Sequence, residues 1–131
     1  MTHHAEGAFE VKLQPLAGDN ADWGGLGRFG LDKRFTGCLE ATSRGQMLSS
    51  GDPKGGSAGY VAIETVTGSL GGRQGSFALQ HTGVMEPGRS VMTITVVPGS
   101  GTGELKGLAG TFHILIEGGK HTYTFDYTLP E

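Results

Sequence analysis

Apolar and polar residues alternate with a period of two along most of the chain. Phe9, Val11 and Leu13 alternate with Glu10 and Lys12, Val61 and Ile63 with Ala62 and Glu64, and Phe77 and Leu79 with Ala78 and Gln80. Met92, Ile94 and Val96 alternate with Thr93 and Thr95, Phe112, Ile114 and Ile116 with His113, Leu115 and Glu117, and Tyr123, Phe125 and Tyr127 with Thr122, Thr124 and Asp126. Each run reads as a half-buried strand, built from the β-branched and aromatic types that suit a pleated sheet. Weaker strands are expected around residues 26–35 and 39–48. No stretch carries a helical period with caps, although residues 103–110 leave room for one short turn.

Between the runs lie turn clusters: Gly24-Gly25, Gly51-Asp52-Pro53, Gly71-Gly72, Glu86-Pro87-Gly88, residues 98–103 and Gly118-Gly119. The pattern predicts an all-β fold, a closed antiparallel β-barrel of about eight strands with short turns, in which closure removes exposed edges. A β-sandwich is the alternative. Residues 60–67 and 76–83 read as one hairpin that sets Glu64 opposite Gln80, and Gly118-Gly119 marks a second, tight one. No linker divides residues 1–131, so a single domain is expected.

Composition sharpens this picture. The chain holds 25 glycines among 131 residues, far above the usual ~7%. With 5 prolines and no strict repeat, that content fits strands joined by tight turns rather than collagen or disorder. A formal charge of -3 with no basic cluster argues against nucleic acid as a partner. No apolar run approaches the roughly 20 residues that span a bilayer as a helix. The N-terminal MTHHAEGAF lacks an apolar signal core, and lone Cys38 excludes an intramolecular disulfide. A cytoplasmic protein is the expectation.

Several short motifs invite chemistry and fail its structural requirements. Gly55-Gly-Ser57-Ala-Gly59 has the spacing of a hydrolase nucleophile elbow, but that elbow needs a strand before the serine and a helix after it. Here a strand follows. Gly99-Ser-Gly-Thr-Gly103 lacks the Lys-Ser/Thr and helix of a phosphate loop and the βαβ unit of a dinucleotide site. Neither Cys nor His pairs occur at metal-ligand spacing, so no metal and no cofactor are expected. His3 and His4 read as terminal residues. Cys38, two residues from Glu40, reads as a buried or lightly packed structural thiol, because a neighbouring carboxylate raises a thiol pKa.

His81 is the sharpest candidate. It shares a strand face with Phe77 and Leu79, which places it in the barrel lumen, with Gly83 leaving space beside its ring. A neutral imidazole there can bind a polar group or act as general base, and the competing reading is a histidine tied to the backbone. His121, Tyr123 and Tyr127 share a face with Phe125, giving further lumenal polar tips. Glu64 and Gln80 fall on the opposite face if the larger apolar residues point inward, and become the candidates if the faces are reversed. Trp23 can cap the barrel mouth, cover a ligand or pack on the wall. The candidate ligand-binding residues are thus His81, Gln80, Glu64, Tyr123 and Trp23, with His81 and Glu64 as acid–base candidates.

An ordered series of blocks also resembles an uncharacterised bacterial family, domain of unknown function 3224. The blocks are Gly7-Ala-Phe-Glu-Val-Lys12, Tyr60-Val-Ala-Ile-Glu64, Gly68, Gly72-Arg73, Gly75-Ser-Phe-Ala-Leu-Gln-His81 with Gly83, Val96-Val-Pro-Gly-Ser-Gly-Thr-Gly-Glu-Leu105, Gly107-Leu108, Gly110 and residues 123–129. The resemblance covers essentially the whole chain and implies a barrel similar to that of allene oxide cyclase. Such barrels confine a reactive guest in a largely apolar lumen. It carries no catalytic residue over to this chain, and Cys38 stands in a segment where the family usually has an acid.

Three functions follow as expectations: binding of a small apolar or amphipathic guest in the lumen; a lyase, isomerase or cyclase using His81 or Glu64; and a filled barrel without ligand. Whether the protein is an enzyme is left open. A lumen packed by Phe9, Phe77, Phe112 and Phe125 favours the last, and a cavity of ~300 Å³ or more the first two. Ala62, Val66, Ala78, Val91, Thr93, Thr95 and Val97, taken as outward-facing, give a weakly charged surface that predicts a homo-oligomer.

Overall fold

The computed structural model describes residues 2–16, 24–52 and 55–130. Eight strands follow one another: β1 (His3–Pro15), β2 (Gly27–Gly37), β3 (Leu39–Asp52), β4 (Ser57–Leu70), β5 (Arg73–Glu86), β6 (Arg89–Val96), β7 (Ala109–Glu117) and β8 (Lys120–Thr128). Each pairs antiparallel with its sequence neighbour and β1 returns to β8, which closes an up-and-down barrel. Both weakly patterned segments are strands, and a 3₁₀ turn lies at Gly103–Leu105. Trp23 lies outside the described residues.

One turn decides the faces. Gly71 and Gly72 both have positive φ, at 58° and 86°, and form a two-residue turn that sets Leu70 against Arg73. Counting back along the ladder pairs Val66 with Phe77, Glu64 with Leu79 and Ala62 with His81. Residues directly opposite in an antiparallel pair share a face. Glu64 therefore points inward with Leu79, and Gln80 lies opposite Ile63 on the outside. This corrects the expected Glu64–Gln80 pairing by one residue, which reverses every side chain of the strand. Val61 and Ile63 are consequently exposed, whereas Ala62 and Val66, expected outside, are buried.

The barrel is filled at one end only. Phe35, Phe77, Phe112, Tyr123 and Phe125 pack there with Leu39, Leu70 and Leu79, all at most 2% exposed. Ring centroids 5.2 Å apart join Phe112 to both Tyr123 and Phe125, within the range of favourable aromatic pairs. Leu105 and Leu108, after β6, are buried in the same cluster. Toward the other end the inward face continues through Leu13 on β1 and Met92 on β6, yet these are 54% and 47% exposed. Among the described residues, none fills the barrel there.

The β6–β7 seam contributes to that opening. Only Ile94 with Phe112 and Thr95 with Thr111 form its ladder, whereas β7 and β8 pair along nine positions. Among the described residues no helix is long and apolar enough to cross a membrane.

Candidate functional site

Among the described residues, four polar side chains are buried inside the barrel: Lys33, Ser43, Glu64 and His81. They come from β2, β3, β4 and β5, so four adjacent strands each contribute one inward residue. Glu64 is the hub and is fully buried. Its Oε2 accepts hydrogen bonds from Lys33 Nζ at 2.8 Å and His81 Nε2 at 2.6 Å, and its Oε1 accepts one from Ser43 Oγ at 2.8 Å. The Lys33 ammonium also lies 5.5 Å from the centre of the Phe9 ring, a cation–π distance.

These contacts fix the charge state of the centre. Burial alone pushes the Glu64 carboxyl up, but the His81 hydrogen bond and the Lys33 charge outweigh it and hold the carboxyl at about 2. Glu64 is therefore a carboxylate at neutral pH and can only accept. His81 Nε2 must then carry its proton and donate it. Nδ1 makes no hydrogen bond to another described residue, and no buried polar side-chain atom among them lacks a partner.

Above this cluster, at the open end, lies a cavity of about 550 Å³. Leu13, Leu26, Phe29, Met47 and Met92 supply apolar walls, and strands β1 to β6 all contribute while β7 and β8 do not. Tyr60 lines the cavity and also touches the cluster, its ring centroid 6.4 Å from that of His81. The Tyr60 ring lies across Gly83, where a Cβ would collide with its Cε1. The bare backbone of Gly83 hence makes room for Tyr60 and not, as expected, for open space beside His81. Burial raises the Tyr60 phenol pKa, with the Glu64 charge adding to it.

Two sequence candidates, His81 and Glu64, are brought together although alternation set them on opposite faces. Gln80 is separated from them, exposed on the outer wall, where it lines a surface groove with Arg28, Arg44 and Ile63. Tyr123 lies in the packed half. Its hydroxyl donates to the Thr36 carbonyl at 2.9 Å and accepts from the Leu39 N–H at 3.0 Å, which ties it to the β2–β3 connection. Cys38 is exposed in that connection, so of the two expected placements, buried or lightly packed, the buried one does not hold. Lys33, Ser43 and Tyr60 were not singled out from sequence. A signal existed for Lys33, which alternates into line with Leu31 and Phe35, and a lysine on an apolar face requires a buried partner. Among the described residues no group of His, Cys, Asp or Glu converges as a metal site.

The model of a family described as protein of unknown function (DUF3224) matches residues 5–127. The chain belongs to the DUF3224 family. A crystal structure of a family member of unknown function from Shewanella oneidensis MR-1 is 50% identical, with a TM-score of 0.91 over 100% of this chain and 99% of that one. The family fold is therefore this eight-stranded barrel. No curated protein matches the chain.

Proposed function

We propose that this DUF3224 protein binds a small apolar or amphipathic molecule in the open half of its barrel. The observation that carries the reading is the cavity of about 550 Å³ at the mouth, within the ~300–1,000 Å³ range of small-molecule sites. The filled half, with Phe77, Phe112 and Phe125 buried, supplies a rigid floor, so the barrel is neither empty nor solid. Of the two acid–base candidates, the geometry favours His81. Glu64 is saturated by three donors and its carboxyl stands at about 2, which makes it a weak base. His81 contacts the Tyr60 ring but does not itself line the cavity, so binding takes precedence over catalysis as the reading.

Titration with Nile red, an uncharged apolar fluorophore, tests this directly. Saturable binding at one site is expected, weakened by about tenfold or more when Ala58→Trp fills the mouth, because bound apolar area is lost. Absent binding, or binding indifferent to Ala58→Trp, contradicts the reading.

We also propose self-association through the outer face of β4 to β6. Val61, Ile63, Val84 and Val91 are 48–61% exposed there, beside Thr82, Thr93 and Thr95. An uncharged patch is self-complementary, as a two-fold interface between identical chains requires. Light scattering is expected to give a multiple of the chain mass, and Ile63→Lys to reduce it. A single-chain mass at micromolar concentration contradicts the proposal.

A further inference from the structure

We infer that the mouth cavity selects electrically neutral guests and rejects carboxylates of the same length. The inference rests on the binding reading above and concerns the chemical class of the guest.

All the polar side chains among the described lining residues are hydroxyls: Ser49, Ser50, Tyr60 and Ser90. The rest of that lining is glycine, alanine and large apolar residues. Hydroxyls can donate to or accept from an alcohol, ketone or ester, but none carries a counter-charge. Burial keeps the Tyr60 phenol protonated well past neutrality.

The nearest buried charges cannot serve an ionised guest either. Lys33 and Glu64 neutralise each other at 2.8 Å, and the remaining Glu64 contacts are to Ser43 and His81. Neither Lys33 nor Glu64 lines the cavity. For a carboxylate to recruit Lys33, that ammonium would have to leave Glu64 and strand a buried carboxylate. An uncompensated buried charge of that kind lowers affinity by roughly 100-fold or more. An alcohol tip escapes this penalty, since a single neutral hydrogen bond satisfies it.

Displacement of Nile red by a matched pair, 1-dodecanol and dodecanoate at pH 8, tests the inference. Dodecanol is expected to compete at concentrations about 100-fold or more below those of dodecanoate. Because dodecanoate is also the more water-soluble of the two, a variant that introduces a positive charge supplies the decisive comparison. Met47 and Met92 both line the cavity, and Met92 is half exposed, so Met92→Lys perturbs the fold least. Met47→Lys and Met92→Lys are each expected to narrow the dodecanol-to-dodecanoate ratio by about tenfold or more, since a lysine provides the missing counter-charge. Equal competition in the unmodified protein, or a ratio that neither variant changes, overturns the neutral-guest inference while saturable Nile red binding leaves the site itself standing. Failure of Nile red to bind at all removes both.

Discussion

His81 Nε2 and Glu64 Oε2 meet at 2.6 Å inside the barrel wall, and Lys33 Nζ reaches the same oxygen at 2.8 Å. One carboxylate oxygen thus joins β2, β4 and β5 through two charge-assisted contacts, and Ser43 on β3 takes the other oxygen. Such a centre specifies register: a one-residue slip of β4 would carry Glu64 to the outside and bury the neighbouring Thr65 or Ile63 in its place.

Acid should weaken the barrel through this centre. The Glu64 carboxyl is held at about 2, below its ordinary 4.5. A depressed carboxyl contributes stability that is complete above about 4.5 and is lost as pH falls toward about 2. Urea midpoints are expected to be level near neutrality and to drop across that window. Glu64→Gln should start lower and show a shallower acid decline. An identical decline in both proteins counts against the assigned role.

Breaking the centre on one side should cost more than removing it whole. Lys33→Met leaves a buried carboxylate with only His81 and Ser43, at a cost of about 3–5 kcal/mol. In the double variant Lys33→Met with Glu64→Leu, no buried charge remains, and a substantial part of that loss should return. Chemical denaturation of the four proteins in the cycle measures this. Simple additivity of the two single changes refutes the coupling.

The same residues show how far the sequence could be read. The number and order of strands were legible, because each run combines period-2 alternation with glycine-rich turns. The face of β4 was not. Val61 and Ile63 are larger than Ala62 and Val66, so the apolar stripe read naturally from the sequence points the wrong way. Only the two-residue turn at Gly71-Gly72 reverses it. His81 was found because Phe77 and Leu79 share its face without ambiguity. Lys33 was missed because β2 is interrupted by Gly30 and charged at Asp32 and Arg34, which blurs its alternation. The cavity was invisible for another reason: Leu13 and Met92 follow the inward pattern, and sequence does not reveal that the barrel is unfilled at their height.

Gly83 and Tyr60 form a matched pair whose separation is testable. Because a Cβ at Gly83 would strike the Tyr60 ring, Gly83→Ala should destabilise by about 1–3 kcal/mol through overpacking. Adding Tyr60→Ala to Gly83→Ala removes the collision, so the second substitution should cost less in that background than alone. Equal cost in both backgrounds shows that the ring does not occupy the space at Gly83. The φ of Gly83 is not positive, so backbone strain does not enter this comparison.

The short β6–β7 ladder should be visible in hydrogen exchange. With two residue pairs across the seam, the residues of β6 nearest the mouth, 89–93, and those of β7, 113–117, hold backbone bonds on one side only. Their seam-facing amides are expected to exchange faster than those of β4, which is paired on both sides from Ala58 to Leu70. Uniform protection across β6 and β7 indicates a closed seam.

The central claim is that a guest occupies the mouth and nothing else, and the methionines report on it. Of the four in the chain, Met47, Met85 and Met92 line the cavity, and Met1 lies outside the described residues. Methyl-labelled methionine NMR during titration with 1-dodecanol therefore reads the site without any substitution. The account predicts that the Met47, Met85 and Met92 methyl signals move together and saturate at one guest per chain while the Met1 signal stays in place. Unmoved signals, or equal shifts of all four without saturation, contradict it.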